Sequence, residues 1–501
     1  MGHFLHLVFI FAMFTATIKG SLFNFRYKKY MKTVYKNKSN NPFGQMIELE
    51  EKYVSQPLDH FDPLVKGSLK QRYIVINDYW KKPDGPVFLF IGGEGLLSGY
   101  YLRYGLINEI AKTHGALIVG AEHRYYGDSL NGDSMELSNL KYLSSQQALG
   151  DLAKLHQVIS EEYGVDSNTT WICFGGSYAG DLSAWFRIKY PHLVHAAVAS
   201  SAPVRAITNF EGYNNVVRAS LSDTSIGGSQ KCTGNISSGF EEVGQLLKNK
   251  SLDRLHKDFE LCSPLKSEND YATFLSNLED NISGAVQYND DGTNNSVEYI
   301  CKTIAEAEGS PYDKLVHLNQ VFLGSLDEKC LESSYEQMLQ ELNKTVAQEL
   351  VGIRPWTYQT CTQFGFFQTC DVNTQCPFST YLGLGLYLDI CNDVFGITAD
   401  EINARVNFTN QYYGSDTPKG TRILFVNGSI DPWHSLSVLK NISDSAETAL
   451  YIQGSSHCAD MEATSPDDTP QLTQGKLEIK KQVSNWLSSS GQQRLTFKLI
   501  R

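Results

Sequence analysis

Four short runs of almost uninterrupted apolar residues constrain this chain most: "PVFLFI" (86–91), "ALIVGA" (116–121), "TWICF" (170–174) and "AAVASSAP" (196–203). A strand with one solvated face alternates apolar and polar residues, whereas a run without alternation belongs to a strand buried on both faces. Between the second and third runs lies a helical pattern over about 145–162, with Leu149, Leu152, Leu155 and Ile159 at three-to-four spacing. Residues 178–190 read as another helix. Strand–helix alternation of this kind predicts a mostly parallel sheet with helices on both faces.

The pattern lapses after the fourth run. Residues 206–355 lack strong strand signals and are rich in Leu, Glu, Lys and Asn. Strand signals resume at "RILFVNG" (422–428) and "ALYIQG" (449–454), and an amphipathic stretch over 471–488 follows. The economical reading is one α/β domain in two parts, 50–205 and 356–501, interrupted by a helical cap insertion over 206–355. Residues 21–49, basic and tyrosine-rich, read as a flexible lead-in or propeptide. Residues 1–20 read as a signal peptide, because the apolar run Phe4–Phe14 is too short to span a membrane and small or polar residues follow it. No later segment reaches the roughly 18 continuous apolar residues of a spanning helix, so no stable membrane insertion is expected after cleavage.

Two further features predict export. Ten N-x-S/T sequons occur, at Asn37, Asn168, Asn235, Asn249, Asn281, Asn294, Asn343, Asn407, Asn427 and Asn441. Of ten cysteines, eight fall between 232 and 391 and none has paired CxxC spacing, which favours disulfides in an oxidising compartment over zinc. Cys173 and Cys458 stand apart and are expected to be free thiols. A secreted or lysosomal location follows. The net charge of −12 argues against a nucleic-acid partner. No H-E-x-x-H pattern is present, and the chemistry below needs neither metal nor cofactor.

The run "TWICF" leads directly into "GGSYAG". A serine at a glycine-flanked strand-to-helix turn matches the nucleophile elbow of α/β hydrolases, with Ala179 where the second motif glycine usually stands. In that fold the acid and the histidine follow the serine in the order Ser, Asp, His, each after a late strand. "RILFVNG" leads to Asp431 and "ALYIQG" leads to His457. His434, the other histidine after residue 400, shares the loop of Asp431 and has no strand of its own. The elimination selects Ser177, Asp431 and His457 as nucleophile, acid and base. Oxyanion donors are expected from the Tyr178 amide and from the loop after "VFLFI", around Gly93 and Glu94.

Several blocks, in order along the chain, resemble the serine peptidase family of prolyl carboxypeptidase and dipeptidyl peptidase II, with its thymus-specific branch. They are "QPLDHF" (56–61), "GGEG" (92–95), "AEHRYYGDS" (121–129), "GGSYAGDLSAWFRIKYPHL" (175–193), "WTYQTCTQFGFFQT" (356–369), "NGSIDPW" (427–433) and "GSSHCADM" (454–461). The resemblance implies an α/β hydrolase with a helical cap, peptide substrates cleaved after proline near a terminus, and the same three catalytic residues. It further implies that Trp433 walls the proline pocket, that Glu94 lies near the substrate terminus, and that Cys361 pairs with Cys391. Core packing for Trp433 and a structural place for Glu94 remain open alternatives. Gln363 stands where relatives usually carry glutamate, which weakens charge-based inference about the terminus bound.

The function expected is a serine exopeptidase acting after proline or a small residue. An esterase or lipase on the same fold, and a non-catalytic binding protein, are the alternatives, because fold does not fix substrate. Whether the chain pairs as a homodimer is open.

Overall fold

The computed structural model describes residues 49–500 apart from 133, 291–293, 347–351 and 443–446. The expected signal peptide, nearly all of the lead-in, and Asn37 lie outside the described residues. Ten strands are present among the described residues: β1 (Glu51–Pro57), β2 (Ser68–Ile76), β3 (Val87–Ile91), β4 (Leu117–Ala121), β5 (Trp171–Gly176), β6 (Ala196–Ser200), β7 (Ile207–Asn209), β8 (Gly365–Phe367), β9 (Ile423–Gly428) and β10 (Glu447–Ile452). The main sheet has eight, in the order β1-β2-β4-β3-β5-β6-β9-β10. β2 pairs antiparallel with β1 and β4, and every other pairing in the sheet is parallel. This is the α/β-hydrolase fold.

The apolar runs form the centre of the sheet because both faces are covered. Val87, Leu89, Leu117, Val119, Trp171, Cys173, Ala197, Ala199, Ile423 and Phe425 pack into one buried layer. The alternating residues Phe88, Phe90, Ile118, Ile172, Phe174, Ala196, Val198, Leu424 and Val426 pack into the other. Helices Ser145–Tyr163 and Tyr178–Lys189 contribute to the first layer. The helix Leu106–His114 and the C-terminal helix Pro470–Ile500, through Ile479, Val483 and Trp486, close the second. Two-sided burial is what an unalternating run requires. β1 and β2 were not read from the sequence: β1, "EKYVSQP", carries mostly exposed residues at the sheet edge.

Between β6 and β9 the chain leaves the main sheet. Seven α-helices between Glu211 and Leu342, among the described residues, form the cap. Its interior, including Phe240, Phe259, Phe274 and Ile282, is continuous with the first layer of the sheet. Cap and sheet therefore share one core. Disulfides Cys232–Cys301 and Cys262–Cys330 staple the cap. The sheet resumes at Ile423, within the run 422–428 that predicts a strand; the segment before it is held by Cys361–Cys391, Cys370–Cys376 and the β7–β8 pair. The eight clustered cysteines all pair, and Cys173 and Cys458 are free. No described helix is long and apolar enough to cross a membrane.

Burial sorts the sequons. Asn281 faces inward from the helix Glu268–Tyr288, 6% exposed, and its Nδ2 is buried, so it has no room for a glycan. That expectation is corrected. Asn427 is excluded likewise, since it is 1% exposed at the end of β9 and its Nδ2 donates to the Val438 carbonyl. Asn168, Asn249, Asn294, Asn343, Asn407 and Asn441 are exposed and Asn235 is partly so.

Candidate active site

β5 ends at Gly176, and Ser177 turns the chain into the helix Tyr178–Lys189 with φ 58° and ψ −135°. A non-glycine residue held at positive φ stores strain that the surroundings must impose. Here the Ser177 N–H donates to the Ser200 carbonyl of β6 at 2.9 Å, and the Ser177 carbonyl accepts from Gly180 and Asp181 at 2.8 and 3.1 Å. The glycines allow the close approach. A Cβ on Gly175 would lie 2.1 Å from the Ala179 carbonyl oxygen, and one on Gly180 would lie 2.7 Å from that of Ser200. Position 179 has room for a methyl group, which packs 3.7 Å from where a Gly93 Cβ would stand. The alanine is accommodated because the close backbone contact falls on Gly180 instead.

Parallel strands bring the late loops to the same edge. Asp431 follows β9, is fully buried, and accepts from the Trp433 N–H at 3.0 Å through Oδ1. His457 follows β10, and its Nδ1 lies 2.9 Å from the same Asp431 oxygen. Nδ1 facing a carboxylate makes it the protonated nitrogen and leaves Nε2 as the free base. Burial disfavours the imidazolium, but the Asp431 carboxylate outweighs it and raises the His457 pKa above the usual range. His434, on the same loop as Asp431, packs edge-to-face against the Tyr451 ring.

Ser177 and His457 open onto one cavity of about 900 Å³, whose lining also includes Gly93, Glu94, Tyr178, Trp356 and Trp433. The cavity lies beyond the carboxyl ends of the parallel strands, where ligands of open α/β sheets bind. Tyr178 is the first residue of its helix, so its N–H has no intrahelical acceptor. The glycine loop after β3 is held by buried Glu122, which accepts from the Leu97 N–H at 2.9 Å, and by Arg72, which donates to the Leu97 carbonyl at 3.1 Å. Trp433 is both lining and packing: its ring meets Phe210, Tyr213 and Phe366. Gln363 does not line the cavity; it accepts from the Ser145 N–H at the start of a core helix.

Sequence reasoning missed the residues that hold this arrangement. Behind the elbow, His123 Nδ1 meets the Arg124 carbonyl at 2.7 Å and Nε2 meets the Tyr178 hydroxyl at 3.0 Å. Burial lowers the His123 pKa to about 4, so the ring is neutral and the Tyr178 hydroxyl donates to it while accepting from Gln359. Asp460 accepts from the Ser200 hydroxyl at 2.6 Å, and the Cys458 N–H donates to the Ser201 hydroxyl at 2.9 Å. The end of β6 thereby ties the histidine loop to the elbow. From the cap, Gln287 and Tyr288 reach the cavity. No local motif marks them, because their partners lie far away in sequence.

A serine at a strained elbow beside a histidine–aspartate pair, under a helical cap, defines a serine hydrolase of the α/β-hydrolase fold. The chain belongs to the serine carboxypeptidase S28 family, which matches residues 56–479, and is thus a serine peptidase. It is 41% identical over 444 residues to thymus-specific serine protease of Homo sapiens, covering 87% of this chain and 86% of that one. The Mus musculus protein of the same name is also 41% identical over 444 residues, covering 87% of each chain. Lysosomal Pro-X carboxypeptidase of Bos taurus is 30% identical over 458 residues, covering 87% of this chain and 88% of its own.

Proposed function

We propose that the protein is a serine exopeptidase that cleaves near a chain terminus, after proline or a small residue, through an acyl-enzyme. The observation that carries this reading is the 2.9 Å contact between His457 Nδ1 and Asp431 at the edge of the cavity that Ser177 lines. A serine hydroxyl is a weak nucleophile near neutral pH, so His457 Nε2 accepts its proton as Ser177 Oγ attacks the scissile carbonyl. Asp431 holds the ring tautomer and stabilises the imidazolium. The Tyr178 N–H, with a second N–H from Gly93 or Glu94, donates to the developing oxyanion. His457 then returns the proton to the leaving amine, and water repeats the cycle on the acyl-enzyme.

Trp433 and Trp356 offer flat apolar walls suited to a proline ring or a small side chain. Glu94 supplies a carboxylate for a free amino group. The cap roofs the cavity through Gln287–Asp290, which favours a chain end over a chain middle. Four disulfides and exposed sequons support a secreted or lysosomal route, in keeping with the name of the bovine relative.

The deciding experiment is mass spectrometry of products from small proline-containing peptides, free or blocked at each end, with Ser177→Ala as control. Release of an N-terminal dipeptide marks a dipeptidyl-peptidase, and loss of the C-terminal residue marks a Pro-Xaa carboxypeptidase. Cleavage of doubly blocked peptides, or turnover of acyl esters alone, overturns the exopeptidase reading.

A further inference from the structure

The catalytic acid and base sit on separate loops, and something must hold those loops in register. Hydrogen bonds around them form a closed ring that passes through the cap. The His457 N–H donates to the Gln287 carbonyl at 2.9 Å. His457 Nδ1 meets Asp431 Oδ1 at 2.9 Å, and the same oxygen accepts from the Trp433 N–H at 3.0 Å. Trp433 Nε1 then donates to Gln287 Oε1 at 2.9 Å, which closes the ring. An indole N–H can only donate, so the orientation of the Gln287 amide is settled by chemistry. The Tyr213 hydroxyl, from another cap helix, donates to the same oxygen at 2.8 Å.

Gln287 lies one residue from the end of the helix Glu268–Tyr288. It therefore grips the base loop with its backbone and the acid loop with its side chain. Tyr288, the next residue, sets its ring edge-to-face against His457 at 5.9 Å. We propose that Gln287 is a positioning residue that sets the Asp431–His457 geometry from the cap, so that the cap is part of the catalytic apparatus as well as its roof. This proposal rests on the serine-triad reading above.

The groups facing His457 decide what a test can see. Asp431 comes from the β9 loop, with Tyr451 of β10 acting on it; Cys458, Asp460 and, through Asp460, Lys476 come from the histidine loop and the C-terminal helix; Tyr288 comes from the cap. Among them Asp431 is the carboxylate in direct contact and the one tied to Gln287 through Trp433. Loosening Asp431 lowers the proton affinity of His457, and the acid limb of nucleophile reactivity moves to lower pH. A residue that only stabilises the fold would leave that limb in place.

The test measures the rate at which a fluorophosphonate labels Ser177 across pH 4 to 9 in the full-length protein. Such labelling needs no knowledge of the natural substrate. Gln287→Met, similar in length and without a strong acceptor, is expected to slow labelling at the plateau roughly 10- to 100-fold, the size expected of a small misplacement, and to shift the acid limb downward. Gln287→Glu keeps both acceptor bonds and is expected to return the limb to the wild-type position or above it. Trp433→Phe, which retains an aromatic ring, is expected to reproduce the downward shift, and it serves if Gln287→Met does not fold. An unmoved acid limb in folded Gln287→Met or Trp433→Phe overturns the proposal, whatever happens to thermal stability. Failure of the wild type to label at Ser177 overturns the triad reading itself, which keeps the two failures distinct.

Discussion

The elbow and the acid–base pair sit at the same edge of the sheet but are built in opposite ways. The elbow is local: residues 175–180 clear their own space, and one bond to Ser200 completes it. The pair is assembled from residues 26 positions apart, and the tryptophan whose backbone N–H braces the acid bonds, through its indole, a cap residue 146 positions away. Short-range sterics hold Ser177 in a strained conformation; alignment of the Asp431–His457 pair draws on distant parts of the chain. Mutations in the two regions should therefore fail differently.

Ser177→Ala should have the largest effect on turnover, a loss on the order of a millionfold by analogy with other triads, with folding intact. Peptide hydrolysis and thermal melting together check it; retained hydrolysis would falsify the nucleophile assignment. Asp431→Asn should follow, with a loss of about 10,000-fold because the amide stabilises the wrong imidazole tautomer. Single-turnover rates would expose that deficit, and wild-type rates in the mutant would dissolve the acid–base pair as a unit. Gly175→Ala breaks the other side of the comparison. Its Cβ would meet the Ala179 carbonyl at 2.1 Å, so the elbow must move at a cost of roughly 1–3 kcal/mol. Lower denaturant resistance together with lost Ser177 labelling is the expected pair of results, and undisturbed labelling would show that the elbow tolerates what its geometry forbids.

The smallest effect concerns Asp181, in the first turn of the nucleophile helix. It is fully buried and neither carboxyl oxygen has a hydrogen-bond partner among the described residues. Burial, reinforced by the charge of Glu94, holds its pKa well above the usual carboxylate value. The folded protein keeps this proton while the unfolded chain releases it near pH 4, so stability falls as pH rises from there toward the folded pKa. Asp181→Asn removes that linkage. Its melting temperature should exceed that of the wild type at pH 7, by the equivalent of about 1–3 kcal/mol, and the gap should close toward pH 4. A gap independent of pH would refute the buried proton.

The central strands, the elbow and both late strand ends were legible because each is written in contiguous residues. Apolar runs without alternation signal two-sided burial, and glycines beside a serine signal a tight turn. β1 was not legible, since an edge strand such as "EKYVSQP" exposes alternate residues and looks like a loop; β2, an interior strand, was missed because its buried residues include Gln71 and Arg72. Residues 356–422 carry core-like blocks but no main-sheet strand, and the sheet resumes at β9, where the apolar run at 422–428 predicts a strand. Burial likewise removed Asn281, whose sequon reads like any other in the chain.

By itself the sequence determined the layered α/β architecture, the tight strand-to-helix turn at Ser177, and the late strands that Asp431 and His457 each follow. Periodicity and steric room are properties of neighbouring residues, so they survive being read in one dimension. Only the tertiary structure decided what grips those residues: Ser200 and Asp460 between elbow and base loop, His123 beneath Tyr178, and Gln287 between base and acid. A hydrogen bond between distant segments depends on where two backbones come to rest. No short stretch of residues encodes that by itself.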